Sequence, residues 1–124
     1  DCGRITISDR VLEDLAGIAT TECYGVAGMA AKNIQDGLSA MLGHENLGRG
    51  VSVAHSESDG PLDVAVNIVV GYGVNIGQVA RNIRKKVRYV LTYCTELPVS
   101  RVNVNVQGVM KKQTVRYGKF LTSN

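Results

Sequence analysis

The apolar positions change period along the chain, and each period predicts an element. In Gly3-Arg-Ile-Thr-Ile7 apolar and polar residues alternate, as in a half-buried strand. From Ser8 the spacing becomes helical, with Val11, Leu12, Leu15, Ile18, Ala19 and Cys23 on one side. Ser8 and Asp9 supply a helix start. Asp9, Glu13 and Asp14 occupy the first turns, where the positive end of the helix dipole favours acids. Gly25 is the stop signal. Val26–Ala31 is short, apolar and small-residued, a brief strand. In residues 33–50, Ile34, Leu38, Met41 and Leu42 are spaced for a short amphipathic helix. Gly37, Gly43, Gly48 and Gly50 interrupt it, so a loop with a helical turn or two is expected.

A hairpin follows. Val51 and Val53 alternate with Ser52 and Ala54, and Ser58-Asp59-Gly60-Pro61 forms the turn. Leu62, Val64, Val66, Ile68 and Val70 then point one way. After the break at Gly71-Tyr72-Gly73, Asn75 is a good N-cap and Gln78 can close a capping box. The second helix is expected to bury Ile76, Val79, Ala80, Ile83, Val87, Val90, Leu91 and Cys94. Pro98 restarts the chain, and Val102, Val104 and Val106 alternate with Arg101, Asn103, Asn105 and Gln107 in the clearest strand of the sequence. The expected order is β-α-β-β-β-α-β. The economical architecture is an α/β (α+β) two-layer sandwich, a mixed sheet with two main helices on one face. The domain spans residues 1–109, and residues 110–124 form a basic C-terminal tail or edge extension. The far sheet face would carry Arg4, Thr6, Ser52, Asn67, Asn103, Asn105 and Gln107, and should be wet or meet a partner.

Composition narrows this picture. The chain has 124 residues, 44% hydrophobic and 20% charged, with no Trp, so the core must be aliphatic. A domain of this size buries roughly two thirds of its unfolded surface and needs no metal or disulfide to hold together. No apolar run reaches the roughly 18 residues that span a bilayer, and no signal-peptide pattern is visible. Cys2, Cys23 and Cys94 are irregularly spaced and form no CxxC, which reads as reduced thiols in a cytosolic protein. Cys23 and Cys94 are expected to be buried as small hydrophobes. Charge is polarised. Residues 1–70 carry four basic and ten acidic side chains, and residues 71–124 carry ten basic and one acidic. Such a molecule can meet an anionic partner at one end, or a second copy head to tail.

Five stretches in order carry a resemblance: Gly3-Arg-Ile-Thr-Ile-Ser8, Gly25-Val-Ala-Gly-Met-Ala30, Val66-Asn-Ile-Val-Val-Gly-Tyr-Gly-Val-Asn-Ile76, Val79-Ala-Arg-Asn-Ile83 and Val102-Asn-Val-Asn-Val-Gln-Gly-Val109. From Gly3 to Val109 the chain resembles the alkaline shock protein family, the general stress or envelope stress response proteins of Gram-positive bacteria. It departs from the family at Gly77, where Pro is usual, and at Thr95-Glu96, where a Thr-Gly pair is usual. The resemblance implies a cytoplasmic, non-enzymatic protein of cell-envelope homeostasis, without cofactor. It also implies a protein partner, in some members a membrane-anchored one, and self-association in others.

Candidate chemistry is sparse. The basic run Arg81, Arg84, Lys85, Lys86 and Arg88 on the second helix could bind a protein partner, nucleic acid or anionic lipid, or be a solvated helix face. Asn103, Asn105 and Gln107 could form an interaction surface on the sheet, or an ordinary wet face. Gly71, Tyr72 and Gly73 could cradle an anion at a helix start, or simply make a tight turn. The dinucleotide fingerprint and the P-loop lysine are both missing. His44 and His55 have no metal-ligand spacing, and no nucleophile–base pair is evident, so neither a metal site nor a catalytic residue is expected. Two readings compete. One is an envelope-stress interaction module, self-assembling and brought to the membrane by a partner without inserting itself. The other is a small nucleic-acid-binding protein using the basic helix with Lys111 and Lys112.

Overall fold

The structure is a computed structural model that describes residues 3–31, 41–55 and 60–111, with the His44 side chain outside that description. Cys2, Ile34, Leu38, the turn residues Ser58 and Asp59, and the tail from Lys112 onward also lie outside the described residues.

Helix α1 (Asp9–Thr21) starts where expected: the Ser8 hydroxyl accepts from the Val11 N–H at 3.4 Å. It ends at Thr21, before Cys23, and Gly25 follows with φ +91° in the turn into β1 (Val26–Met29). Only glycine fits there, because an added Cβ would sit 2.5 Å from Val79 Cγ2 of the second helix. Of the residues spaced for a short helix, Met41 instead forms a β-bridge with Ala30, and a separate 3₁₀ segment, His44–Gly50, leads into β2 (Val51–His55). Then come β3 (Leu62–Gly71), α2 (Ile76–Thr95) and β4 (Val99–Met110).

Strand β3 is the spine of a mixed sheet. β4 runs parallel along one edge, with Val64 opposite Val102, Val66 opposite Val104 and Ile68 opposite Val106. β2 and β1 share the other edge end to end, both antiparallel: β2 pairs with residues 62–66 and β1 with residues 68–70. Leu62, Val64, Val66, Ile68 and Val70 all face the two helices and are fully buried. Leu12, Ala16 and Ala19 of α1 and Val79, Ile83, Val87 and Leu91 of α2 complete this aliphatic core. The two-layer sandwich with both helices on one sheet face is the expected class.

Three further details differ from the sequence reading. Residues 3–7 form no strand, so among the described residues the order begins with α1. The stretch pairs with no strand among the described residues, and alternation without a ladder does not make a strand. Ile5 is left 90% exposed. Gln78 does not close a capping box. Asn75 Oδ1 accepts from the Gln78 N–H at 2.9 Å, while the Gln78 side chain bonds Asn82 and Arg81 instead. Finally, Ile76 and Cys94 are exposed. Both lie on the azimuth of the buried stripe, but in the terminal turns of α2, where the described residues cover them incompletely.

A basic groove between α2 and the free edge of β4

The residues 81, 84, 85 and 88 recur at three- and four-residue steps, so they share one face of α2. Val79, Ile83, Val87 and Leu91 anchor the adjoining face in the core, and the basic face flanks it beside β4. The short link from α2 to β4 brings Ser100, Arg101 and Asn103 alongside. Between helix and strand lies a groove of about 730 Å³ lined by Arg81, Arg84, Lys85, Arg88, Tyr89 and Arg101. Val102 and Thr92 lie within it.

Charge in the groove is poorly compensated. Arg101 Nε is 3.8 Å from Asp63 Oδ1, whose carboxylate also accepts from Ser100 Oγ at 2.7 Å. Arg88 donates to the Val99 carbonyl, and Arg81 donates to Gln78 Oε1 at 3.1 Å. Among the described residues, Arg81, Arg84, Lys85 and Arg88 have no carboxylate partner. Such a cluster of like charge draws an anionic group of complementary shape. Tyr89 and Tyr93 stack beside it, ring centroids 5.9 Å apart, and both are largely exposed.

The structure separates the expected site residues. Lys86 leaves the group: it points toward α1, where Nζ lies 3.1 Å from Glu22 Oε1. The amide stripe divides as well. Asn103 lines the groove, whereas Asn105 and Gln107 donate to Asn67 Oδ1 at 3.1 and 3.2 Å. Asn67 in turn donates to the Gly50 carbonyl at 3.1 Å and is buried, so two of the three amides serve the fold. At Gly71-Tyr72-Gly73 the N–H groups of Gly71 and Tyr72 are bonded to the carbonyls of Gly25 and Met110, and Gly73 takes φ +91°. The turn thus uses those donors internally. His55 ends β2 with Nε2 3.0 Å from Asp9 Oδ1, a link from the sheet to the start of α1. Cys23 is half-buried, and burial pushes its thiol up, partly opposed by Lys86 and reinforced by Glu22.

Arg101, Tyr89 and Thr92 were absent from the sequence-derived site. Tyr89 and Thr92 follow Lys85 and Arg88 by four residues, so helical spacing alone could have found them. Arg101 needed the tertiary fact that β4 lies beside α2.

Comparison with known proteins places these features in a family. The family model for alkaline shock protein 23, described as cell envelope-related in function, matches residues 1–111. The uncharacterized protein YloU of Bacillus subtilis is 44% identical over 108 residues, covering 86% of this chain and 88% of that protein. Spy1535 of Streptococcus pyogenes, also uncharacterized, is 36% identical over 112 residues, covering 90% and 83%. YqhY of Bacillus subtilis, likewise uncharacterized, is 34% identical over 107 residues, covering 86% and 77%. No solved structure matches the chain.

Proposed function

The chain belongs to the alkaline shock protein 23 family, whose function is cell envelope-related, and from that premise we propose that it is a non-enzymatic cytoplasmic adaptor, held at the membrane by a protein that docks in the α2–β4 groove. The observation that carries this reading is the uncompensated set Arg81, Arg84, Lys85 and Arg88 facing the free side of β4. No helix among the described residues is long and apolar enough to cross a membrane. Self-association is the second half of the reading. It is supported by the charge polarity of the chain, with acids concentrated before residue 70 and bases after it.

The test is membrane fractionation of cells producing the wild-type chain or the Arg84→Glu/Lys85→Glu variant. Both side chains are exposed, so the fold should tolerate the change to within about 0.5 kcal/mol. The wild type is expected with the membranes, released by protease treatment of their proteins, and the variant is expected in the soluble fraction. Equal membrane association of the two chains would remove the groove from the account. Light scattering across salt concentration tests the second half, which predicts assemblies that dissolve as salt screens the opposed charges.

The nucleic-acid reading retains one supporting observation, the exposed Tyr89–Tyr93 pair beside the cations, which could stack on bases. It predicts retardation of single-stranded DNA or RNA at low salt, with steep loss as salt rises.

A further inference from the structure

The outer edge of β4 has no strand partner among the described residues, although β4 runs twelve residues, from Val99 to Met110. In an edge strand every second residue turns its N–H and C=O outward, so a backbone of matching spacing can pair with it. At the start of this edge Arg88 holds the Val99 carbonyl.

The side chains along this edge change character. Over the first half, Arg101 and Asn103 stand beside Arg84, Lys85 and Arg88 of α2. Over the second half the strand turns apolar: Val106 is 37% and Val109 51% exposed, on strand positions opposite the core residues Ile68 and Val70. The core layer therefore continues past β3 onto β4, where its outer column stays partly exposed among the described residues. A ligand suited to this surface needs negative charge at one end, apolar side chains at the other and an extended backbone between them.

Resting on the adaptor reading above, we infer that the partner is engaged by strand addition. An extended peptide segment pairs with the β4 edge, its acidic side chains set against Arg84, Lys85 and Arg101 and its apolar side chains against Val106 and Val109. Peptide is favoured over nucleic acid by the free strand edge and by the exposed valines, since a sugar–phosphate backbone uses neither. It is favoured over a bilayer surface by the concave groove, which a flat array of headgroups would not fill. Binding of this mode divides its labour as strand addition does elsewhere: main-chain hydrogen bonds hold the segment, and the side-chain pattern selects it.

The probe is a fluorescein-labelled peptide of about twelve residues, with alternating glutamates in one half and alternating valines in the other, followed by fluorescence anisotropy on the full chain. Three comparisons accompany it: the same peptide N-methylated at alternate residues, single-stranded DNA of equal charge, and the Arg84→Glu/Lys85→Glu protein. The expected result is saturable binding that weakens about tenfold or more, roughly 1.4 kcal/mol, on N-methylation and on charge reversal, with the DNA weaker than the peptide. N-methylated peptide binding as tightly as the parent, or DNA binding more tightly, would overturn strand addition. Those results leave the fractionation test of the adaptor reading untouched, because N-methylation alters only the mode of docking. Membrane release by charge reversal combined with insensitivity to N-methylation would mean that the groove is used and the strand edge is not.

Discussion

Strands β3 and β4 are parallel neighbours of similar length. β3 has a ladder on both edges, a helical layer over one face and, in its second half, burial on the other face too: Asn67 and Val69 are buried along with Ile68 and Val70. Among the described residues β4 has one ladder, one open edge, and side chains that grow more exposed toward its end. The sequences follow these environments. Apolar residues crowd together at Ile68-Val69-Val70, as in strands buried on both faces, while Val102-Asn-Val-Asn-Val-Gln keeps strict alternation. A residue type that is buried on one strand is therefore exposed one strand away, and burial, more than residue type, separates the two strands.

Substitutions across this pair should separate the strands. Ile68→Ala removes a fully buried side chain at the centre of the core and is expected to cost about 2–5 kcal/mol. Val106→Ala, directly opposite on β4, should cost under about 1 kcal/mol because the side chain is already partly in water. Urea unfolding of both variants measures the ratio, and equal costs would break the contrast. Asn67→Ala tests the polar link between the strands. It leaves the Asn105 and Gln107 amides without their shared acceptor and the Gly50 carbonyl without its donor, with an expected loss of about 1–3 kcal/mol. Asn105→Ala alone should cost less, since Asn67 keeps its other partners.

A smaller effect of opposite sign is expected at Glu96. It caps α2 with φ 63° and ψ 15°, the left-handed conformation that L side chains resist. Glycine adopts that conformation without a Cβ clash, so Glu96→Gly should stabilise the chain by about 0.5–1 kcal/mol, read as a raised urea midpoint. The smallest expected effect concerns the thiols. Cys94 is exposed, and Cys23 is half-buried with its titration moved to higher pH, mainly by burial. Because the thiolate is the reactive form, alkylation at mildly alkaline pH should label Cys94 first, with Cys23 lagging until the pH is raised further. Mass spectrometry of a time course checks the order.

The parts that were legible share a physical cause. α2 carries a long helical period and a capping asparagine, and both survive into the structure. The β2–β3–α2–β4 succession follows from alternation and turn chemistry that act locally. Residues 3–7 alternate like a strand without pairing as one, because a ladder needs a partner that the pattern of Ile5 and Ile7 does not specify. The groove was half legible. Its helical cations stand out by spacing, but Lys86 belongs to the α1 side and Arg101 enters from another element, and only packing reveals either. The amides of β4 looked equivalent in sequence, yet the buried Asn67 claims Asn105 and Gln107 and leaves Asn103 in the groove.

If the basic groove and the free edge of β4 form the working surface of this domain, as proposed, amide hydrogen exchange along β3 and β4, with and without the acidic–apolar peptide, will show it. Exchange on β3 should be slow in both states. On β4 it should be faster at outward-facing amides, and slow on peptide addition in the wild type but not in Arg84→Glu/Lys85→Glu. Protection appearing elsewhere, or β4 amides exchanging as slowly as those of β3 before any peptide is added, would contradict it.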